Sequence, residues 1–165
     1  MRRMITRNTM LFVALVTLLS RAALDAQAPV VGVADPESLF TDAKPTLHAN
    51  KQVALHLVRD LLECNHWAEA DKWLTPEYIQ HNPLVVSGRD AVVRFFGSRP
   101  TKPIPQKMQT KVVAVIAEGD LVLVAFPREF KDPKDPSKTY TTTWFDMWRI
   151  ENGKAAEHWD GAMKQ

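Results

Sequence analysis

The segment 144–160 constrains the fold of this chain most strongly, because it joins a hairpin signal to an unusual set of side chains. An Asn-Gly pair at 152–153 lies between two strand-like runs and is a strong signal for a tight turn. Aspartate is depleted in strands, since it prefers water and competes for backbone hydrogen bonds. Two aspartates and a histidine among three tryptophans therefore favour the lining of a pocket. The alternative is that the aspartates face solvent while the tryptophans fill a core.

The length of the turn decides which of these side chains share a face of the hairpin. A two-residue turn at Asn152-Gly153 would direct Asp146 and Asp160 to opposite faces. A three-residue loop over 151–153, with its glycine in the left-handed conformation, would place Asp146 opposite His158. We expect the three-residue loop, because it gathers a polar and aromatic lining on one face. That lining would consist of Trp144, Asp146, Trp148, His158 and Asp160.

Residues 1–26 are typical of a secretory signal peptide. Three arginines precede an apolar run over 10–19, which is too short to span a bilayer, and small residues follow it. We expect cleavage after Ala26, and the alternative is that the segment stays as a single anchor helix. The sequence therefore predicts export, to the periplasm or the extracellular space.

Loss of this segment removes the basic character of the chain. The formal net charge is +2, and four arginines and one aspartate leave with residues 1–26, which lowers the charge to −1. No basic stripe remains to bind nucleic acid or an anionic membrane surface. The single cysteine, Cys64, excludes an internal disulfide. Because no activating partner is adjacent to it in sequence, we interpret Cys64 as a small core residue.

The remaining chain, roughly 139 residues, is long enough for one domain with its own core. Residues 27–46 contain three prolines and little periodicity, so they are predicted to form a flexible N-terminal arm. The domain itself is predicted over 47–165. Apolar residues recur with helical spacing at 49–62, and shorter helices are predicted at 67–73 and 88–97.

The second half of the domain has the pattern of strands. Residues 111–117 and 121–126 flank a Glu-Gly-Asp turn, which predicts a hairpin. Two longer strands, at about 139–150 and 154–163, flank the Asn-Gly pair. Three helices followed by four antiparallel strands predict an α+β fold, in which the helices pack on one face of a curved sheet.

A second group of candidate site residues lies at 78–83. His81, Asn82 and Pro83 combine a side chain that titrates near neutral pH with an amide and a residue that fixes the chain. The alternative is that His81 only closes its loop through a backbone hydrogen bond. If His81 meets the aspartates and the histidine of the hairpin, this group could transfer protons or bind a metal.

The motifs favour proton transfer over the other classes of chemistry. The histidines and carboxylates lack a spacing specific for metal ligation, so we expect no metal and no other cofactor. Glycine-rich phosphate loops, G-x-S-x-G elbows and Cys-x-x-Cys pairs are absent from the sequence. This argues against phosphoryl transfer and serine-hydrolase chemistry.

Residues 47–163 resemble the SnoaL-like (polyketide cyclase-related) branch of the nuclear-transport-factor-2-like superfamily. The resemblance rests on the order of the elements and on four motifs. These are Tyr78-Ile-Gln-His-Asn-Pro83, a third helix led by Gly88, Ala117-Glu-Gly-Asp120, and Phe145-Asp-Met-Trp-Arg-Ile-Glu-Asn-Gly-Lys154 running into Glu157-His-Trp-Asp160. The resemblance implies a cone-shaped α+β barrel over an apolar cavity, and homodimers formed through the sheet.

The resemblance also implies a chemistry. Polyketide cyclases of this branch use an acid/base aspartate in an intramolecular aldol condensation, and Asp160, with His81 near it, matches that position. The superfamily also contains isomerases, epoxide hydrolases, dehydratases and non-catalytic binders, so the fold does not define the reaction.

We therefore expect an exported, cofactor-independent enzyme that acts on a small apolar carbonyl compound. Asp160 would abstract or donate a proton and His81 would hold a substrate oxygen, while Asp146 and His158 orient the pair. The substrate would be bound by Tyr78, Asn82, Trp144 and Trp148. The alternative is a non-catalytic module that holds a hydrophobic ligand in the same cavity.

Overall fold

A computed structural model of the protein describes residues 27–164. Residues 1–26, with the predicted signal peptide and its cleavage point, lie outside the described residues. Within 27–164, no helix has both the length and the apolar character needed to cross a membrane.

Helical structure occurs where the periodicity predicts it, but the segments differ in kind. Helix α1 runs over Pro45–His56 and continues as a π-helical segment over Leu57–Glu63. The second predicted helix is a 3-10 helix, Trp67–Lys72, and the third is helix α2, Arg89–Phe96. A further 3-10 helix, Pro36–Phe40, precedes α1.

The sheet has five strands in the order β1-β5-β4-β3-β2. Strands β2 to β5 pair antiparallel, as predicted, whereas β1 pairs with β5 in parallel. Because β1 and β2 are edges, this sheet is open and does not close into the predicted barrel. The strands are β1 (Leu74–Gln80), β2 (Ala114–Glu118), β3 (Leu121–Lys131), β4 (Thr139–Glu151) and β5 (Lys154–Asp160).

Strand β1 is absent from the sequence prediction. It contains Pro76, which cannot donate to a ladder and is therefore tolerated at the edge of a sheet. Its pairing with β5 is interrupted between Leu74 and Ile79, which leaves a short and irregular strand. The edge position explains how a segment with a helix-ending Thr-Pro signal still adds a strand to the sheet.

The core lies between α1 and the inner face of the sheet. Val122, Val124 and Phe126 alternate along β3 and are buried, as the period of two in a strand requires. Val58 and Leu61 of the α1 continuation are almost fully buried in the same cluster. Cys64 is also buried, and burial raises the pKa of its thiol, in agreement with its interpretation as a core residue.

The segment 27–46 packs against the domain, which corrects the expectation of a flexible arm. Phe40 is completely buried in the main core. The backbone of Val33 donates to the carbonyl of Val112 at 2.8 Å, and Lys51 Nζ donates to the carbonyl of Thr41 at 3.1 Å. The sequence does not predict this packing, because the prolines of this segment suggest a loop. Phe40 is also a single aromatic residue with no apolar residues at helical or strand spacing around it.

The turn between β4 and β5 differs from the expected three-residue loop. Glu151 pairs with Lys154 across the two-residue turn Asn152-Gly153, so the predicted loop is wrong. Asn152 has φ of 50° and Gly153 has φ of 76°. Two positive φ angles are the requirement of a type I′ turn, whose twist matches that of the flanking strands.

A bulge in β5 nevertheless brings the expected side chains to one face. Arg149 pairs with Glu157 while Ile150 pairs with Ala155, which leaves Ala156 as an extra residue. A bulge of this kind shifts the register by one residue. Asp146 consequently lies opposite Asp160, and Trp148 lies opposite His158, all on the inner face.

Truncation of Phe40 tests the packing of the segment before α1. We expect Phe40→Ala to lower the free energy of unfolding by about 3–5 kcal/mol, since it removes a buried aromatic side chain and leaves a cavity. Val31→Ala is the control in the same segment, because Val31 is 74% exposed. Its effect should stay within about 0.5 kcal/mol. Equal urea midpoints for the two variants would contradict this packing.

Candidate functional site

A cavity of about 510 Å³ lies between the helices and the inner face of the sheet. Most of its wall is apolar and aromatic, with contributions from the continuation of α1 (Leu57–Glu63), from α2, and from β3 and β4. The apolar lining includes Leu57, Val58, Leu61, Trp67, Val92, Phe96, Phe126, Trp144 and Trp148. The side formed by β1, β5 and β4 carries instead a group of polar side chains, here called the polar cluster: Gln80, Asn82, Asp146, His158 and Asp160.

Strand geometry places the polar cluster. His158 and Asp160 are two residues apart on β5, so both face inward once the bulge has set the register. Asp146 reaches the same face from β4. On the other side of β5, Gln80 is the parallel partner of His158, at the end of β1.

Asp146 and His158 form a buried pair. Each residue is 7% exposed, and His158 Nε2 lies 3.3 Å from Asp146 Oδ1. The indole of Trp144 donates to the same oxygen at 2.9 Å. Burial of a charged group is costly unless it is paired and hydrogen-bonded, and both conditions are met here.

Gln80 defines which nitrogen of His158 carries a proton. Gln80 Oε1 accepts from the backbone N–H of Asn82 at 3.1 Å, which identifies this atom as the amide oxygen. The same oxygen lies 2.6 Å from His158 Nδ1, so Nδ1 is the donor. Nε2 then faces the Asp146 carboxyl, and two lone pairs at this distance would repel. A proton therefore lies between His158 and Asp146, on one partner or the other.

The carboxyl group of Asp160 is oriented by two donors. Asn82 Nδ2 donates to Oδ2 at 2.7 Å, and the backbone N–H of Ala162 donates to Oδ1 at 2.9 Å. The amide of Asn82 is itself oriented, because its oxygen accepts from the backbone N–H of Leu84 at 2.9 Å. Asn82 thus connects the loop after β1 to the end of β5, where Asp160 borders the cavity.

Tyr78 offers a hydroxyl donor. Trp148 Nε1 donates to Tyr78 Oη at 3.2 Å, so the phenolic oxygen is the acceptor in that bond. Burial raises the pKa of Tyr78, which keeps its phenol neutral. Within the described residues no protein acceptor lies within hydrogen-bonding distance of its O–H. Because Tyr78 lines the cavity, it can donate that proton to a ligand oxygen.

His81 does not reach the cavity, which corrects the expectation that it holds a substrate oxygen. Its Nε2 lies 2.7 Å from Glu157 Oε1 and its ring stacks on Trp159 at 5.1 Å, on the outer face of the sheet. The reason is alternation along the chain, which turns residue 81 away from the side that Gln80 faces. Gln80 occupies the position beside His158 that was expected for His81. The signal in the sequence is that Gln80 lies two residues after Tyr78, so both side chains face the same side of the strand.

The polar cluster also contains a set of three potential metal ligands. Asp146, His158 and Asp160 each offer one ligand atom, and these atoms lie within 4.8 Å of one another. Carboxylate oxygens and an imidazole nitrogen suit several divalent cations. In the geometry described, however, His158 Nε2 and Asp146 Oδ1 are directed at each other. A cation between them would have to replace this hydrogen bond.

The fold and the site together define an α+β protein with an apolar cavity and a buried acid–histidine pair. Residues 56–158 match the model of the SnoaL-like domain family. The chain therefore belongs to this family, within the nuclear-transport-factor-2-like superfamily. No curated protein matches the sequence at a significant level.

Solved structures with a similar arrangement share little sequence with the chain. TsrD from Streptomyces laurentii is 18% identical, with 73% of this chain and 90% of that chain covered, at a TM-score of 0.47. An NTF2-like protein of unknown function from Burkholderia pseudomallei is 18% identical, with 70% and 91% covered, at a TM-score of 0.49. A putative polyketide cyclase from Acidithiobacillus ferrooxidans is 15% identical, with 68% and 86% covered, at a TM-score of 0.47.

The proton positions can be tested by NMR. Long-range proton–nitrogen spectra at neutral pH should show that Nδ1 of His158 is protonated, because it donates to Gln80. His81 is the internal comparison, and its Nε2 should be protonated because it faces the Glu157 carboxylate. Gln80→Leu removes the acceptor and should abolish the preference at His158. An unprotonated Nδ1 in the wild type would contradict the hydrogen-bond assignment.

Glu157 on the outer face generates a pH-dependent prediction. The hydrogen bond from His81, with a further contribution from Arg149, holds the pKa of Glu157 below its ordinary value of 4.5. When the pKa of a carboxyl group is lower in the folded state than in the unfolded state, the group stabilises the fold at pH values above its unfolded-state pKa. This stabilisation is lost as the pH falls through the folded-state pKa. In urea titrations, the stability difference between wild type and Glu157→Gln should therefore shrink as the solution is acidified below about pH 4.5.

A matched control for this titration is Glu129→Gln. Glu129 is exposed on β3 and has no ion pair within residues 27–164. Its difference from the wild type should change little over the same pH range. The assignment to Glu157 would be overturned if the two variants followed the same pH profile.

Proposed function

We propose that the protein binds a small apolar carbonyl compound in this cavity and transforms it by acid–base chemistry without a cofactor. One observation carries the proposal: His158 Nε2 lies 3.3 Å from Asp146 Oδ1 in a buried pair beside Asp160, at the wall of an apolar cavity. Titratable groups that converge inside an apolar cavity are typical of catalytic sites. Membership of the SnoaL-like family agrees with this class of chemistry.

The groups suit proton transfer next to a carbonyl. In the proposed reaction, an Asp160 oxygen takes a proton from the carbon beside the substrate carbonyl. The electron pair of that C–H bond moves to form an enolate, whose negative charge lies on the carbonyl oxygen. The Tyr78 hydroxyl donates a hydrogen bond to this oxygen, as donors in an oxyanion hole do. Where an oxygen atom is protonated, the His158–Asp146 pair supplies the proton, and the proton that Asp160 took then restores the pair. Where a carbon atom is protonated, Asp160 gives its proton back directly.

This first step serves more than one outcome. Attack of the enolate carbon on a second carbonyl of the same molecule closes a ring, which is an aldol cyclisation. Return of the proton to a different carbon gives an isomer. Trp144 and Trp148 would pack against the apolar body of the substrate, and Asn82 would orient Asp160.

A non-catalytic binding module is the second candidate function. Both oxygens of Asp160 and both ring nitrogens of His158 have protein partners. Groups that are fully engaged also suit a rigid wall, which holds a hydrophobic ligand without turnover. The two functions differ in whether a proton moves between ligand and protein.

The proposal includes the location of the protein and its oligomeric state. Export to the periplasm or the extracellular space is supported by the signal-like pattern of residues 1–26. A homodimer through the sheet is supported by apolar side chains on its outer face, where Ile116 is 62% and Phe145 is 51% exposed. In the cone-shaped arrangement that we propose, α1 and α2 cover the open side of the curved sheet.

Hydrogen–deuterium exchange of a model ketone tests the chemistry. β-Tetralone is an apolar bicyclic ketone with exchangeable protons beside its carbonyl, and NMR in deuterated water follows their loss. The wild-type protein should accelerate this exchange. Asp160→Asn and His158→Gln should each reduce the acceleration by about 10²–10⁴-fold, which is the usual contribution of a positioned acid or base.

The matched control is His81→Gln, because His81 contacts the outer face and should leave the exchange rate unchanged. Equal exchange in wild type and Asp160→Asn would remove Asp160 from the mechanism. Binding of β-tetralone without accelerated exchange would favour the binding module. Native mass spectrometry of the protein from its host would then identify the ligand that it retains.

Chelation separates acid–base from metal chemistry. We expect exchange to be insensitive to EDTA, because the His158–Asp146 pair and Asp160 act directly in the proposed mechanism. Loss of exchange on chelation, with recovery on addition of a divalent cation, would show instead that Asp146, His158 and Asp160 bind a metal.

A further inference from the structure

The cavity has a cationic rim, which is formed by Arg99, Lys111 and Arg128. All three side chains line the cavity and are exposed, so they lie where it opens to solvent. None of them has an ion-pair partner within residues 27–164. Of the two carboxylates of the polar cluster, Asp146 is buried and Asp160 is half-buried. The exposed part of the cavity lining is thus positive, and the acidic side chains are less exposed than the three cations.

Hydrogen bonds to the half-buried side chain of Glu63 restrain the backbone next to Lys111. Glu63, at the end of the α1 continuation, accepts from the backbone N–H of Thr110 at 2.8 Å and from the Thr110 hydroxyl at 2.7 Å. It also accepts from the backbone N–H of Gln109 at 3.1 Å. These bonds hold the loop before β2 against the helix, and they hold Lys111 at the cavity.

Arg128 and Arg99 are likewise on restrained segments. The Arg128 guanidinium lies over the Trp144 ring, 5.7 Å from its centroid, and the indole N–H of Trp144 contacts Asp146. Trp144 therefore spans the distance between the rim and the buried pair. Next to Arg99, the carbonyl of Pro100 accepts from Asn65 Nδ2 at 3.2 Å.

We propose that the ligand of this cavity is an amphipathic acid, with an apolar ring body and one anionic group held by Arg99, Lys111 and Arg128. This inference rests on the proposed function and narrows its substrate class to apolar carbonyl compounds that carry a carboxylate or a similar anion. Arginine and lysine at a site entrance bind such groups through charge-assisted hydrogen bonds.

The opposite charges at the two ends of the cavity orient the ligand. An anionic group is repelled by Asp146 and Asp160 and attracted by the rim, so it stays at the entrance. The uncharged end, with its carbonyl, then enters first and reaches Tyr78 and Asp160. The rim also raises the local concentration of an anionic ligand, an effect that falls as salt is added.

A matched pair of dyes tests the preference for an anion. Anilinonaphthalenesulfonate and phenylnaphthylamine share the same apolar ring system, and only the first carries a sulfonate. Both fluoresce more strongly in an apolar site, and displacement of one by the other shows that they share the cavity. At low salt we expect the anionic dye to bind about tenfold more tightly, and at about 1 M salt, where the Debye length is only about 3 Å, the ratio should approach one.

Substitutions that remove one positive charge each test whether these three side chains cause the preference for the anionic dye. Arg99→Gln, Lys111→Gln and Arg128→Gln should each lower the affinity for the anionic dye by about two- to fivefold and leave that for the neutral dye unchanged. Arg94→Gln is the matched control, since Arg94 is exposed on α2 and does not line the cavity. It should bind both dyes as the wild type does.

The outcomes separate this inference from the proposed function. Equal affinity for the two dyes, or a preference that survives all three rim substitutions together, overturns the amphipathic acid. An equal loss of preference in Arg94→Gln also overturns it, because net charge would then explain the effect. In these cases binding of the neutral dye and exchange of β-tetralone still support the proposed function. Failure of the cavity to bind either dye would overturn both proposals.

Discussion

The register of β5 against β4 is the constraint on which the candidate site depends. The tight turn at Asn152-Gly153 alone would turn the two aspartates to opposite sides of the sheet. The extra residue in β5, Ala156, shifts the register so that Asp146 meets Asp160. A shift of one residue exchanges the two faces of a strand, so a single bulge decides that His158 and Asp160 face the cavity.

Burial of Asp146 and His158 imposes a second constraint, because each of these groups must have a hydrogen-bonding partner. Within the described residues, no fully buried side-chain nitrogen or oxygen lacks one. Gln80 hydrogen-bonds to His158 and Trp144 hydrogen-bonds to Asp146, while Asn82 hydrogen-bonds to Asp160. Apolar residues at these positions would fill a core at lower cost, since buried ion pairs are weak sources of stability.

Much of the architecture could be predicted from local patterns, and the exceptions have identifiable causes. The hairpins, the long helix near 49–62 and the α+β class follow from periodicity and turn residues. Strand β1 was missed because Pro76 suggests a break, while its edge position tolerates proline. The burial of Phe40 cannot be predicted, because a single aromatic residue forms no helical or strand periodicity. The chemistry of His81 suggests a place in the cavity, but alternation along β1 directs Gln80 to the inner face instead.

The sequence by itself determined the family, the order of the elements and the side chains that can carry chemistry. These follow from local composition and spacing, and turn residues and strand alternation are short-range effects. The tertiary structure alone decided that Gln80, and not His81, meets His158, and that Ala156 forms the bulge. It also decided that the side chains of Arg99, Lys111 and Arg128 lie at the entrance of the cavity. Such contacts join residues far apart in the chain, and their geometry is set by the packing of the sheet against the helices.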